Sequence, residues 1–224
     1  MAYRCEATTV GGFIQQLAVS YIAHGYFFYV CGFVPKGKDP RALDAKLVDK
    51  YEIDISKFSR HRRKNLGQAN VQYLRFDRFF VLLATHGHHR FFYPQEEGGE
   101  GSLVRDVREH PIKYASYSVS ARRRTGAGRK WVAHVGIEQG TYRDLKGYFL
   151  ELASKRGKPA LEREFYSLPF EPYAPVRRQL WTIFKRVNAA RNQAGLELLD
   201  AGCLRMRRRV YRPFDPVADE ELAA

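Results

Sequence analysis

Apolar residues recur along this chain with two periods, and the changes from one to the other mark out its elements. Phe13, Leu17 and Tyr21 return every four residues behind Thr8 or Thr9, either of which can cap a helix running to about Ala23. "GYFFYVCGFVP", Gly25 to Pro35, is aromatic and β-branched and predicts a mostly buried strand ended by Pro35. In "DPRALDAKLVDKY", Asp39 caps a helix, Pro40 takes its first position, and Leu43, Leu47 and Val48 form its apolar face. A basic loop is expected around Arg60 to Lys64. "NVQYLRFDRFFVLLAT" then divides into two strands at Asp77 and Arg78. "KYASYSVSARR" and "KWVAHVGIE" alternate with period two on either side of "RTGAG", which predicts a hairpin.

From Thr141 the period becomes helical. Thr141 and Asp144 make a capping-box pattern ahead of Leu145, Tyr148, Phe149 and Leu152, and Gly157 and Pro159 close that helix. A short helix to Leu168 and the stiff connector "PFEPYAP" follow. Val176, Leu180, Ile183, Phe184 and Val187 then fall on one stripe of a helix that Gly195 ends. "CLRMRRRVYRPF" is strand-like, and "DPVADEELAA" is acidic. The expected fold is therefore α/β (α+β), a largely antiparallel sheet of four to six strands packed with helices, plus a helical C-terminal region. Residues 1–156 would form the sheet domain, 157–214 a helical and basic extension packed on it, and 215–224 a frayed tail.

With 45% hydrophobic and 14% aromatic residues the chain can bury a core, which excludes a disordered polyampholyte. The three cysteines, Cys5, Cys31 and Cys203, are widely spaced and odd in number, so a reducing, cytoplasmic setting is expected. The first residues lack the pattern of a secretory signal. Gln15, Gln16, His24 and Gly25 interrupt the most membrane-like stretch, so no membrane partner is expected.

Charge changes the picture most. There are 38 Lys and Arg against 24 Asp and Glu, a formal +14. Four stretches, Ser59 to Asn65, Arg122 to Lys130, Val176 to Arg191 and Leu204 to Arg212, are rich in cations and contain no acid. Clustered arginine without local neutralisation suits a polyanion, so a nucleic acid, DNA or RNA, is the expected partner. A mobile-element or ribonucleoprotein role would fit. Solvated faces kept for solubility, or an acidic protein partner, are the alternatives. The candidate contacts are Arg60, Arg62, Arg63 and Lys64; Arg122, Arg123, Arg124, Arg129 and Lys130; and Arg207, Arg208 and Arg209. A helical projection adds Arg178 and Lys185, with Trp181 between them on the basic face, where it could stack on a base. Packing against another element is the alternative for that tryptophan.

Three of the seven histidines crowd into "THGHH". If the strand before them continued, His86 and His88 would share a face, as would His134 and Glu138 in the second hairpin strand. His86 and His88 with His134 or Glu138 could then hold a divalent metal, Mg²⁺ or Mn²⁺, with Glu96 and Glu97 as further donors; a solvated turn is the alternative. The order of elements, strand, helix, two strands with His-x-His on the second, then a helix carrying tyrosines, resembles the HUH single-strand endonucleases. That resemblance implies a metal-dependent endonuclease in which His86 and His88 ligate the metal and Tyr142 or Tyr148 is the nucleophile.

Overall fold

The computed structural model describes residues 3–93, 104–124 and 130–216. The fold is mixed α/β, and the chain forms two compact units. One comprises Met1–Ile112, Ser120–Ala133 and Tyr211–Ala224; the other comprises Lys113–Val119 and His134–Val210. No helix among the described residues is long and apolar enough to cross a membrane.

In the first unit, Thr9 accepts a hydrogen bond from the Gly12 amide and starts α1 (Val10–Gln15). The helix runs on through a π-helical turn, Gln16–Tyr21, and a tight turn, Ile22–His24, until Gly25 ends it at φ +91°. β1 (Phe28–Phe33) is less buried than its aromatic sequence predicts, since Tyr29 is buried but Cys31 and Phe33 are exposed. Asp39 accepts from the amides of Arg41 and Ala42 to start α2 (Pro40–Lys50). The segment expected as a basic loop is instead a helix, α3 (Lys57–Asn65), started by the Ser56 hydroxyl accepting from the Ser59 amide. It buries none of its residues, so no apolar stripe announces it.

The hairpin of β2 (Val71–Phe76) and β3 (Phe79–Ala84) turns at Asp77, whose φ is +50°. β4 (Arg105–Asp106) completes an antiparallel sheet of order β2-β3-β1-β4. On one face Tyr73 and Leu82 pack with Ile53, Leu47 and Val48. On the other, Phe76 and Phe79 meet Phe13 of α1, with ring centroids 6.4 and 5.9 Å apart. Both faces are covered, so these two strands read as apolar runs rather than alternations.

β5 (Ile112–Tyr114), β6 (Tyr117–Arg123) and β7 (Trp131–Ile137) form a three-stranded antiparallel sheet, and the division between the units falls within these strands. Ala115 and Ser116, at φ +47° and +65°, make a tight turn that divides the strand expected from Lys113 onward.

The second unit holds the helices that follow the hairpin, and its first helix falls within the residues 1–156 expected as the sheet domain. α4 (Gln139–Leu152), α5 (Lys158–Tyr166) and α6 (Ala174–Gln193) meet through Phe149, which stacks on Phe165 at 4.0 Å, and through Phe184 beyond it. Gly195, at φ +67°, follows α6 as expected. The strand-like "CLRMRRRVYRPF" forms no strand; beyond a tight turn, Ala201–Cys203, it is irregular chain. Residues 217–224 of the acidic tail lie outside the described residues.

Candidate nucleic-acid interface

The helix that sequence patterning misses carries the cations that converge. Lys57, Arg60, His61 and Lys64 occupy positions i, i+3, i+4 and i+7 of α3, which places them on one face. All four line a cleft of about 880 Å³. The π-helical turn supplies Gln16, Ser20 and Tyr21 to its wall, and His24 and Tyr26 follow. Asn70 and Gln72 enter from the β2 end, Thr85 and His86 from the end of β3, and Tyr3, Arg4 and Phe214 from the chain ends. The described lining contains no Asp or Glu.

That absence decides the local electrostatics. No carboxylate among the described residues pairs with Lys57, Arg60 or Lys64, whereas Arg63 is paired with Glu52 and Arg4 reaches Asp215 at 2.6 Å. Lys57, Arg60 and Lys64 thus present charge to a shared, partly enclosed space, where an anion is less screened than on an open surface. The tyrosines contribute neutral hydroxyls and ring faces. The Tyr3 hydroxyl donates to Gln72 Oε1 and to the Tyr73 carbonyl, both at 2.8 Å, and burial pushes its ionisation up. Tyr21, whose ring centroid is 5.8 Å from that of Tyr26, is also pushed up, chiefly by burial. Such a set offers cations to phosphates and rings and amides to the rest of a nucleotide.

The cations expected from sequence are distributed as follows. Arg60 and Lys64 line the cleft, while Arg62 is exposed outside it. Arg122, Arg123, Arg124 and Lys130 are exposed at the hairpin, and Arg129 lies outside the described residues. Arg123 lies over the Trp131 ring at 5.2 Å. Arg108, held by Asp106, lies 4.9 Å from the Phe27 ring and 5.3 Å from that of Trp131. Sequence patterning does not reveal this aromatic and arginine cluster because its members come from three separated segments.

In the second unit, Trp181 is 36% exposed; its ring stacks on Phe184 at 5.3 Å and lies 5.7 Å from the Lys185 ammonium. Packing and exposure therefore coexist at that residue. Arg178 and Lys185 are exposed. Arg191 is not a surface cation: it is 3% exposed and donates to the carbonyls of Ala153, Arg156 and Glu197. Arg207 is exposed, Arg208 covers Tyr173 at 4.9 Å, and the Arg209 amide donates to Glu171.

The histidines part company at Gly87. β3 ends at Ala84, and Gly87 at φ +136° breaks the two-residue alternation that would have put His86 and His88 on one face. His86 turns to the cleft. His88 is bonded through its backbone to Gly67 and Ala69. His89 Nδ1 accepts from the Phe91 amide, and burial, with Arg63 and Arg90 nearby, lowers its pKa. Among the described residues no three His, Cys, Asp or Glu side chains are grouped to hold a metal; of the expected ligands, His86 and His88 belong to the first unit and His134 and Glu138 to the second. Glu138 lies beyond β7, where it caps α4 by accepting from the amides of Gly140 and Thr141 and pairs with Lys113 at 2.8 Å. It also displaces Thr141 from the capping position expected of it. Glu96 and Glu97 lie outside the described residues. Of the tyrosines, Tyr142 is half-buried on α4, and the Tyr148 hydroxyl donates to Glu164 at 2.9 Å, which disfavours its ionisation.

Family models, curated proteins and solved structures all gave no match to this chain. The cleft residues missing from the sequence reading, Lys57 and His61 above all, could have been found by setting "KFSRHRRKN" on a helix behind the Ser56 cap.

Proposed function

We propose that the protein binds nucleic acid, with the cleft of the first unit taking phosphates on the cationic face of α3. The observation that carries this reading is the convergence of Lys57, Arg60, His61 and Lys64 in a cleft whose described lining holds no carboxylate. An acidic protein would also answer positive charge. The tyrosine rings and the Asn and Gln amides beside the cations favour a ligand with bases and sugars. A role in a mobile element or a ribonucleoprotein is compatible with this reading.

The test is a salt titration of binding to short single strands, with Lys57→Ala and Lys64→Ala beside the parent. Each lost phosphate contact should reduce the slope of log affinity against log salt by about 0.7. Affinity should fall on every sequence alike, since phosphate contacts position without reading bases. Unchanged slopes in both variants, or polyglutamate binding as tightly as the oligonucleotides, would overturn the proposal.

A further inference from the structure

Asn70 lines the cleft and is 6% exposed, and three of its four polar groups are held. Its amide donates to Thr85 Oγ1 at 2.9 Å, its carbonyl accepts from the Thr85 amide at 3.0 Å, and its Nδ2 donates to the Arg60 carbonyl at 3.0 Å. That last bond fixes the side-chain amide, because a flip would set two acceptors against each other. Oδ1 is left buried without a partner among the described residues. Arg60 Nε is in the same condition, a buried donor without a partner. Leaving such groups unpaired in a protein interior is unfavourable. Both belong to residues that line the same cleft and are joined by a hydrogen bond.

We propose that the cleft recognises the ribose 2′-hydroxyl, so that the protein prefers RNA to DNA, with Asn70 Oδ1 accepting from that hydroxyl and Arg60 bonding the neighbouring phosphate. This inference rests on the nucleic-acid reading above. The chemistry that fits is an acceptor for Arg60 and a donor for Asn70 on one ligand. In RNA the 2′-hydroxyl and the 3′-phosphate sit on adjacent carbons of one sugar and supply both; DNA lacks the donor. Base amines are also donors, but they lie across the sugar from the phosphate, away from the Arg60 charge. Arg60 is the part that yields to admit the ligand, since its side chain makes one hydrogen bond among the described residues, to the Ile53 carbonyl at 3.2 Å.

The experiment compares three short oligouridines of equal length and the same base, with ribose, deoxyribose or 2′-O-methyl sugars, by fluorescence polarisation on the parent protein. The ribose strand should bind roughly tenfold tighter than the deoxyribose strand, the effect of one hydrogen bond to a buried partner. The 2′-O-methyl strand, which has lost the donor, should fall to the deoxyribose level. In Asn70→Ala, with its fold checked by circular dichroism, the ratio of ribose to deoxyribose affinity should fall to about one. Equal affinity for ribose and deoxyribose strands on the parent overturns the inference even if that variant does not fold, and leaves the nucleic-acid reading standing. A ribose preference that survives in folded Asn70→Ala overturns the assignment to this residue. Failure of all three strands to bind overturns both proposals together.

Discussion

At the scale of single residues, Gly87 sets the directions that the neighbouring histidines take. A Cβ at this position would stand 2.6 Å from the Ala69 nitrogen, the Gln68 carbonyl carbon and the Gly67 oxygen, all backbone atoms with little freedom to move. Its φ of +136° is one that L side chains rarely adopt. Glycine here lets the end of β3 lie against residues 67–69, where the His88 amide donates to the Gly67 carbonyl at 2.9 Å. The histidines on either side are thereby sent in different directions. Gly87→Ala should destabilise the protein by at least about 3 kcal/mol, combining backbone strain with an unrelieved clash. Thermal unfolding should show this as a drop of about 6–12 °C if the transition is cooperative. A midpoint within a degree or two of the parent would show that the loop relaxes freely, and the account of the histidines would fall with it.

At the scale of elements, the structure separates what patterning can and cannot reveal. The division of β2 from β3 at Asp77 and the starts of α1 and α2 are legible because a cap, a proline or a turn residue stands where the apolar period changes. α3 is not, because its stability comes from the Ser56 cap and from arginines that reach the Ile53 carbonyl and Glu52, with no buried face. Phe58, its one aromatic, is 89% exposed. The candidate site shares that cause: Lys57 and Lys64, seven residues apart, come to one face only when the segment is set on a helix. The tail misleads in the opposite direction, since its alternation mimics a strand while Arg205 spends its donors on the carbonyls of Leu168 and Phe170. α2 hides a polar contact behind an apolar pattern. Beside Leu43, Leu47 and Val48 it buries Asp44, which accepts from the Tyr73 hydroxyl at 2.6 Å and from Arg75 Nη2 at 2.8 Å. Arg75 is only 2% exposed, so removing its partner strands a buried charge. Asp44→Ala should therefore cost about 3–5 kcal/mol, measured by urea unfolding. A loss under about 1 kcal/mol would show that Glu6 and the Asp77 carbonyl satisfy Arg75 unaided.

At the scale of the whole molecule, the question is how many of the cationic groups act on one ligand. The clusters expected from sequence are shared between the units: α3 and the hairpin arginines lie in the first, α6 with Arg207, Arg208 and Arg209 in the second. Several of their members are already engaged, Arg63 with Glu52, Arg191 with helix-end carbonyls and Arg208 with Tyr173, so formal charge overstates what a polyanion meets. The salt slope counts what remains. If Lys57, Arg60 and Lys64 alone meet phosphates on a single strand, the slope of log affinity against log salt should be about 2 in magnitude. The exposed Arg122, Arg123 and Arg124 of the first unit lead us to expect a steeper slope on long strands than on strands short enough to fill the cleft alone. Trp181→Ala should then cost about 1–3 kcal/mol of binding on the long strands only, as a stacking residue outside the cleft would. The same modest slope on short and long strands, with Trp181→Ala silent on both, would confine recognition to the cleft and leave the remaining arginines as solvated surface.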